Sequence, residues 1–278
     1  MMSADSSVSM QEAAPTGHSV TSVDSTRIAF WRSGSGRPLL LIHGVIASHA
    51  TTWRFVAQKL AQHVTLYAMD RRGRGGSGDS THYSLFHEAN DVVAVIDAVG
   101  EQVDVLGHSF GGLCAIEAAL RTDRIRRLIL YEAVPLRGSE GCSHEVIAGL
   151  EALLAANEVE SALVTMLSEV VGLGETEIEM LRHDQNAWAT RLANTWAMPR
   201  ELRAEYEYVF VPERFAGFRV PTLLLVGGSS PERELSNARG VAAALHSARV
   251  QLLPEQRHLA MYTAPDLFAS AVLEFVTQ

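Results

Sequence analysis

Apolar residues in this chain fall into short unbroken runs, separated by stretches where they return every three or four positions. Pro38 to Ile42 is a continuous apolar run of strand length, which predicts a strand buried on both faces of a sheet, and Val103 to Leu106 and Thr222 to Val226 are strand-like. Val64 to Met69, Arg127 to Tyr131 and Val250 to Leu253 are strand-like as well. Ahead of them, Val20 to Val23 and Ile28 to Trp31, separated by Asp24-Ser25-Thr26-Arg27, predict an antiparallel hairpin that starts the sheet. Between the fourth and fifth strands, Leu85, Ala89, Val92, Val93, Ile96 and Val99 line one side of a helix with Ser84 as its N-cap. Strands that alternate with helices in this way imply an α/β fold, a mostly parallel sheet covered by helices on both faces.

The alternation stops between 136 and 215. Val146 to Leu154 and Ala162 to Val171 have helical patterns, and no convincing core strand occurs there. We expect an inserted helical cap over residues 136–215, with residues 19–135 and 216–278 forming one core around it. Trp188, Trp196, Met198, Tyr206, Tyr208 and Phe210 are the cap side chains able to wall an apolar cavity, although aromatics at helical spacing more often hold the helices together. Residues 1–18 are rich in Ser and Ala, contain Pro15 and show no periodicity, so a disordered leader is expected. At 278 residues one domain with an insertion suffices.

Charge and cysteine content narrow the function. A net charge of −9 with 23 Lys plus Arg argues against nucleic acid or an anionic membrane as partner, since either needs a clustered positive face. No apolar run reaches the roughly 18 to 20 residues that span a bilayer, and no signal-peptide pattern opens the chain. A cytoplasmic protein is expected, and a homodimer is left open. Cys114 and Cys142 make neither a disulfide framework nor a zinc site; Cys114 reads as a small core residue.

The strongest chemical signal is Gly107-His108-Ser109-Phe110-Gly111, between an apolar strand and a helical stretch. A serine at such a strand-to-helix turn projects its hydroxyl above the sheet edge, and small neighbours are needed because the turn crowds the backbone. The hydroxyl is a weak nucleophile until a base takes its proton, and imidazole titrates in the right range. His258, in the loop after the last strand, is placed at the same sheet edge; the remaining histidines fall in turns, surface segments or the cap, and His108 is expected to point away from the elbow. The developing oxyanion needs N–H donors, for which the amides of Val45, after His43-Gly44, and Phe110 are candidates. No histidine spacing suggests a metal, and no cofactor is called for.

Leu39 to Gly44, Asp70-Arg71-Arg72-Gly73-Arg74-Gly75-Gly76-Ser77-Gly78, Gly107 to Gly112 and His258 together resemble the α/β-hydrolase superfamily over residues 20 to 276. The resemblance implies an α/β-hydrolase fold and a Ser109–His258 pair, with the Asp70 to Gly78 loop structural. Most relatives carry an Asp after the strand matching Thr222 to Val226, but here that loop reads Gly227-Gly228-Ser229-Ser230-Pro231. Glu132, at the end of the preceding strand, is the candidate acid, with Glu232 the alternative. Haloalkane dehalogenases include members with a carboxylate at the earlier position, but their nucleophile is Asp. Zearalenone-type lactonases are similar in pairing a serine elbow with a Glu after that strand. The expected activity is a cofactor-independent serine hydrolase acting on small apolar carboxylic esters or lactones. Its rivals are a C–C bond hydrolase or perhydrolase on the same residues, and a ligand receptor with little turnover.

Overall fold

The computed structural model describes residues 14–133, 135–137 and 142–278. Its centre is an eight-stranded sheet in the order β1-β2-β4-β3-β5-β6-β7-β8, with β1 Thr16–Thr21, β2 Arg27–Gly34, β3 Pro38–Ile42, β4 Thr65–Met69, β5 Val103–His108, β6 Ile125–Tyr131, β7 Thr222–Gly227 and β8 Ala248–Leu253. The hairpin β1–β2 and the β2–β4 pair are antiparallel, and every pairing from β4 to β8 is parallel. Every residue of β3, β5 and β7 is buried, as their mostly apolar sequences require, and the one carboxylate among them, Asp104 of β5, is paired with Arg126.

Helices α1 (His49–Thr52), α2 (Ala57–Ala61), α3 (Leu85–Val99) and α4 (Phe110–Ala119) lie in the first half of the chain. The Ser84 hydroxyl accepts the His87 N–H and caps α3, while Gly100 ends it in the left-handed region. Among the described residues no strand intervenes between β6 and β7. That stretch holds α5 (His144–Ala155), α6 (Val159–Thr165), α7 (Glu175–His183), α8 (Gln185–Asn194) and α9 (Met198–Tyr206), the helical insertion expected from the broken alternation. The chain then closes with α10 (Glu232–Ala244), α11 (Ala260–Thr263) and α12 (Pro265–Thr277). One apolar cluster joins α3, α4 and the insertion on one face of the sheet, and a second packs α2 and α12 on the other. No helix of the described residues is long and apolar enough to cross a membrane.

Residues 1–13 of the expected leader lie outside the described residues. Thr16 to His18 do not belong to a leader, because β1 starts at Thr16 and pairs with Arg32 of β2. This strand is an exposed edge held by backbone bonds, so its sequence carries little hydrophobic signal.

Candidate functional site

At the carboxyl ends of β5 and β6 the chain twice enters the left-handed backbone region at a residue other than glycine. Ser109 has φ 53° and ψ −132°, and Glu132 has φ 44°. Such conformations cost energy and persist only where the surroundings impose them. The Ser109 N–H donates to Tyr131 O at 3.0 Å, and the Glu132 N–H to Leu225 O at 3.1 Å, so neighbouring strands hold both turns. Close packing around the serine explains its glycines. A Cβ on Gly107 would lie 2.4 Å from Gly112 Cα, and one on Gly111 2.4 Å from His43 O.

The Glu132 carboxylate is almost wholly shielded from solvent and reaches His258 Nδ1 with Oε2 at 2.8 Å. Its other oxygen accepts the Gly227 N–H at 2.8 Å and the Ser230 hydroxyl. The loop that lacks a carboxylate therefore supplies donors that grip one coming from the neighbouring strand. His258 is held from behind as well. Its carbonyl accepts from His108 Nε2 at 3.0 Å, while the Tyr131 hydroxyl donates to Arg257 O and accepts the Ala260 N–H.

Burial opposes charge on His258, but the hydrogen bond and charge of Glu132, helped by Glu234 and Glu205, outweigh it and raise its pKa above the ordinary imidazole value. Burial likewise opposes ionisation of Glu132, yet the His258, Ser230 and Gly227 contacts prevail and lower its pKa. With Nδ1–H directed at a carboxylate, Nε2 is left with the free lone pair, the tautomer a general base needs. Burial and the nearby His258 keep His108 neutral, its pKa well below the ordinary range.

Ser109, His258 and Val45 together line two adjoining chambers. One chamber continues past Glu132 and Ser230 to Glu205, Arg233, Glu234 and Asn237. The other is walled by Ile46, Ala47, Leu167, Leu181, Leu259 and Met261. Met166, Val171 and Leu173 of the insertion border both, so the inserted helices cover the serine. Among the described residues no group of three or more His, Cys, Asp or Glu side chains is arranged to hold a metal.

A model of the alpha/beta hydrolase family matches residues 39–271, the greater part of the chain. The chain belongs to the alpha/beta hydrolase family. An alpha/beta hydrolase from Sphaerobacter thermophilus DSM 20745 is 32% identical, with a TM-score of 0.82 over 93% of this chain and 100% of its own. The esterase RhEst1 from Rhodococcus sp. ECU1013 shares the fold at 23% identity, with a TM-score of 0.78 over 94% of this chain and 98% of its own. The 2-hydroxymuconate semialdehyde hydrolase of Pseudomonas sp. (strain CF600) is 36% identical over 132 residues, 45% of this chain and 44% of that protein. The matched segment spans less than half the length of this and several other curated relatives.

In this alpha/beta hydrolase the structure brings Ser109, His258, Glu132 and Val45 to one cavity, with Phe110 buried directly after the serine at the start of α4. It does not bring Glu232 there: that side chain is 80% exposed in the first turn of α10, facing Arg239. The six cap residues expected to wall a cavity do not line the chambers at Ser109. Trp188, Met198, Tyr208 and Phe210 are packed in the core, Trp196 is exposed, and Tyr206 meets the ring of His144 edge-on. Smaller aliphatic residues take their place because only they leave room above the serine. His108, expected to point away, instead packs against His258 with ring centroids 4.6 Å apart. Its role was hidden in the sequence because the partner is a backbone carbonyl.

Proposed function

We propose that this enzyme is a cofactor-independent serine hydrolase of carboxylic esters, with Ser109 as nucleophile, His258 as general base and acid, and Glu132 as the triad acid. The observation that carries this reading is the 2.8 Å contact from Glu132 to Nδ1 of His258 at a cavity shared with Ser109. Ser109 Oγ attacks the acyl carbon and passes its proton to His258 Nε2. The tetrahedral oxyanion is held by the amides of Val45 and Phe110. Collapse expels the alcohol oxygen, which takes the proton from His258 and leaves an acyl-enzyme. Water repeats the attack, giving its proton to His258, and release of the carboxylic acid restores the serine. The sequence resemblance to zearalenone-type lactonases rests on the same early carboxylate. A lactone follows the identical steps, its alcohol remaining attached to the product.

The two chambers also bear on the substrate. The scissile bond lies between them, so we infer an ester with one apolar arm, facing Leu167, Leu181 and Met261, and one polar arm, facing Glu205, Glu234 and Asn237. A lactone must lay one ring across both.

The test is a panel of short alkyl esters, p-nitrophenyl esters, and small and large lactones, with Ser109→Ala as the blank. We expect many turnovers with wild-type protein, none with the blank, and a mass increase of one acyl group on Ser109 after rapid acid quench. Single-turnover modification without release would instead favour a receptor. The Pseudomonas relative is named a 2-hydroxymuconate semialdehyde hydrolase, so that compound joins the panel as the comparison substrate, and a preference for it over every ester would displace the ester reading.

A further inference from the structure

The Gly44–Val45 peptide is held from its carbonyl side. Gly44 O accepts from His43 Nδ1 at 2.9 Å and from Arg71 Nη1 at 3.2 Å. In a planar trans peptide the carbonyl and the following N–H point in opposite directions. Anchoring the oxygen of Gly44 therefore aims the Val45 N–H away from Arg71. The adjoining glycine is already pressed on the elbow, since a Cβ there would be 3.0 Å from Ser109 Cβ.

Arg71 acts on this turn twice. Its backbone N–H donates to His43 Nε2 at 3.1 Å, which places the imidazole hydrogen on Nδ1, where Gly44 O accepts it. Burial together with the cations Arg74 and Arg71 keeps that imidazole neutral. Its guanidinium also lies over the ring of Phe110, with Cζ 4.5 Å from the centroid. One fully buried cation thus touches the carbonyl of the peptide that carries the Val45 N–H and the ring of Phe110, whose own amide is the second donor proposed for the oxyanion.

What holds the cation comes from two directions. Glu88 of α3 grips it through two bonds, Nη2 at 2.6 Å and Nε at 3.1 Å. Glu201 of α9, in the helical insertion, approaches Nη2 at 3.2 Å and Nη1 at 3.3 Å and is shared with Arg74. All four side chains are fully buried. Lifting α9 would leave two buried cations facing one carboxylate, an arrangement strongly disfavoured. A planar fork can serve the carbonyl, both carboxylates and the ring at once, and an ammonium cannot.

We propose that Arg71 is a positioning residue for the oxyanion hole and that its pairing with Glu201 makes the seating of α9 a condition for a competent hole. This rests on the serine-hydrolase reading, so binding and turnover are tested separately. A phenylboronic acid, which forms a tetrahedral anionic adduct on a serine, is titrated calorimetrically into wild type, Ser109→Ala, Arg71→Lys and Glu201→Gln. Turnover of a p-nitrophenyl ester is followed in parallel, and thermal melting reports folding. Failure of wild type to bind the boronate more tightly than Ser109→Ala would defeat the serine reading itself.

Given that binding, Arg71→Lys is expected to weaken the boronate and lower kcat by about 10²-fold, the scale of one lost oxyanion donor. Glu201→Gln should lower both by about tenfold, less than the loss of a whole donor, because it weakens one pairing and leaves the Arg71 guanidinium in place. KM and the acid limb of the pH profile should stay near wild type in both variants, because neither touches His258 or Glu132. Should Arg71→Lys not fold, Glu201→Gln carries the test alone. Boronate affinity and kcat within twofold of wild type in a folded Glu201→Gln, or a KM rising as much as kcat falls, would overturn the proposal.

Discussion

Glu132 and His258 sit 126 positions apart and meet at 2.8 Å, so each sets the other's protonation state. A general base must be neutral before it takes the serine proton. Because the His258 pKa is raised, the acid limb of kcat/KM should fall above the ordinary imidazole value near 6.5. Glu132→Gln removes the chief cause of that rise and leaves burial, which lowers the pKa, so the limb should move to lower pH. The same change should reduce kcat by roughly 10³ to 10⁴-fold through the lost tautomer, whereas Glu232→Gln should stay within twofold of wild type; pH–rate profiles of both variants decide it. Glu205 offers a second titration. Burial beside Glu234 pushes its pKa up to about 7, and it faces the polar chamber. It is neutral below that pH and charged above it. The kcat/KM of an ester with an ammonium-bearing arm, divided by that of its neutral isostere, should therefore rise with pH through about 7. The His258 term cancels in the ratio, and Glu205→Gln should flatten it. The serine, the late histidine and Glu132 were all legible as residues, since a strand-to-helix turn and strand-end positions can be read locally. His108 and Arg71 were not, because their bonds go to the backbone carbonyls of His258 and Gly44 in distant loops, and those of Arg71 also to Glu88 and Glu201 far along the chain, so local spacing leaves no trace of them.

At the scale of elements, steric room decides what each glycine does. Gly111 is the second residue of α4, and its would-be Cβ lies 2.4 Å from the backbone oxygens of Ile42 and His43 at the end of β3. Gly111→Ala must push the elbow helix off the sheet and should cost about 1 to 3 kcal/mol, as overpacking does. Gly149 lies within α5, and a Cβ there meets nothing within 4 Å. Gly149→Ala should stabilise the protein by about 0.5 to 1 kcal/mol, the ordinary gain of alanine in a helix. Urea denaturation midpoints at unchanged slope measure both, and equal effects would refute the steric account. All eight strands follow from mostly apolar runs or hairpin spacing, because burial on both faces disfavours polar residues; Asp104 in β5 is admitted with Arg126 bonded to its carboxylate. The start of β1 does not, because an exposed edge imposes no such demand. The cap side chains left two readings open, cavity wall or helix packing, for a related reason. Periodicity shows that a residue faces inward, but it is silent on whether that face meets another helix or an open chamber.

The molecule as a whole is joined across its insertion by buried charge. Arg71, Arg72 and Arg74, read as part of a structural loop, close on Glu88, Asp91 and Glu201 from α3 and α9. These acids would pass in sequence for solvated helix faces, yet each is fully buried. Removing one member strands an opposite charge in the interior, and a broken buried pair typically costs about 3 to 5 kcal/mol. Asp91→Asn, which leaves Arg72 with only the partly exposed Asp24, should therefore lower the denaturation midpoint sharply while sparing KM, since it lies away from both chambers. By itself the sequence determined which segments are strands, their alternation with helices along the chain, and the placing of one serine at a strand-to-helix turn. These follow from short-range patterning, where burial of a strand or the crowding of a turn restricts adjacent residues. Only the tertiary structure decided which carboxylate meets His258, in what order the strands pair, what shape the chambers take and how the insertion is tied to the Gly44–Val45 turn. Each of those is a contact between distant segments, selected by packing and charge balance in the folded interior rather than by any local rule.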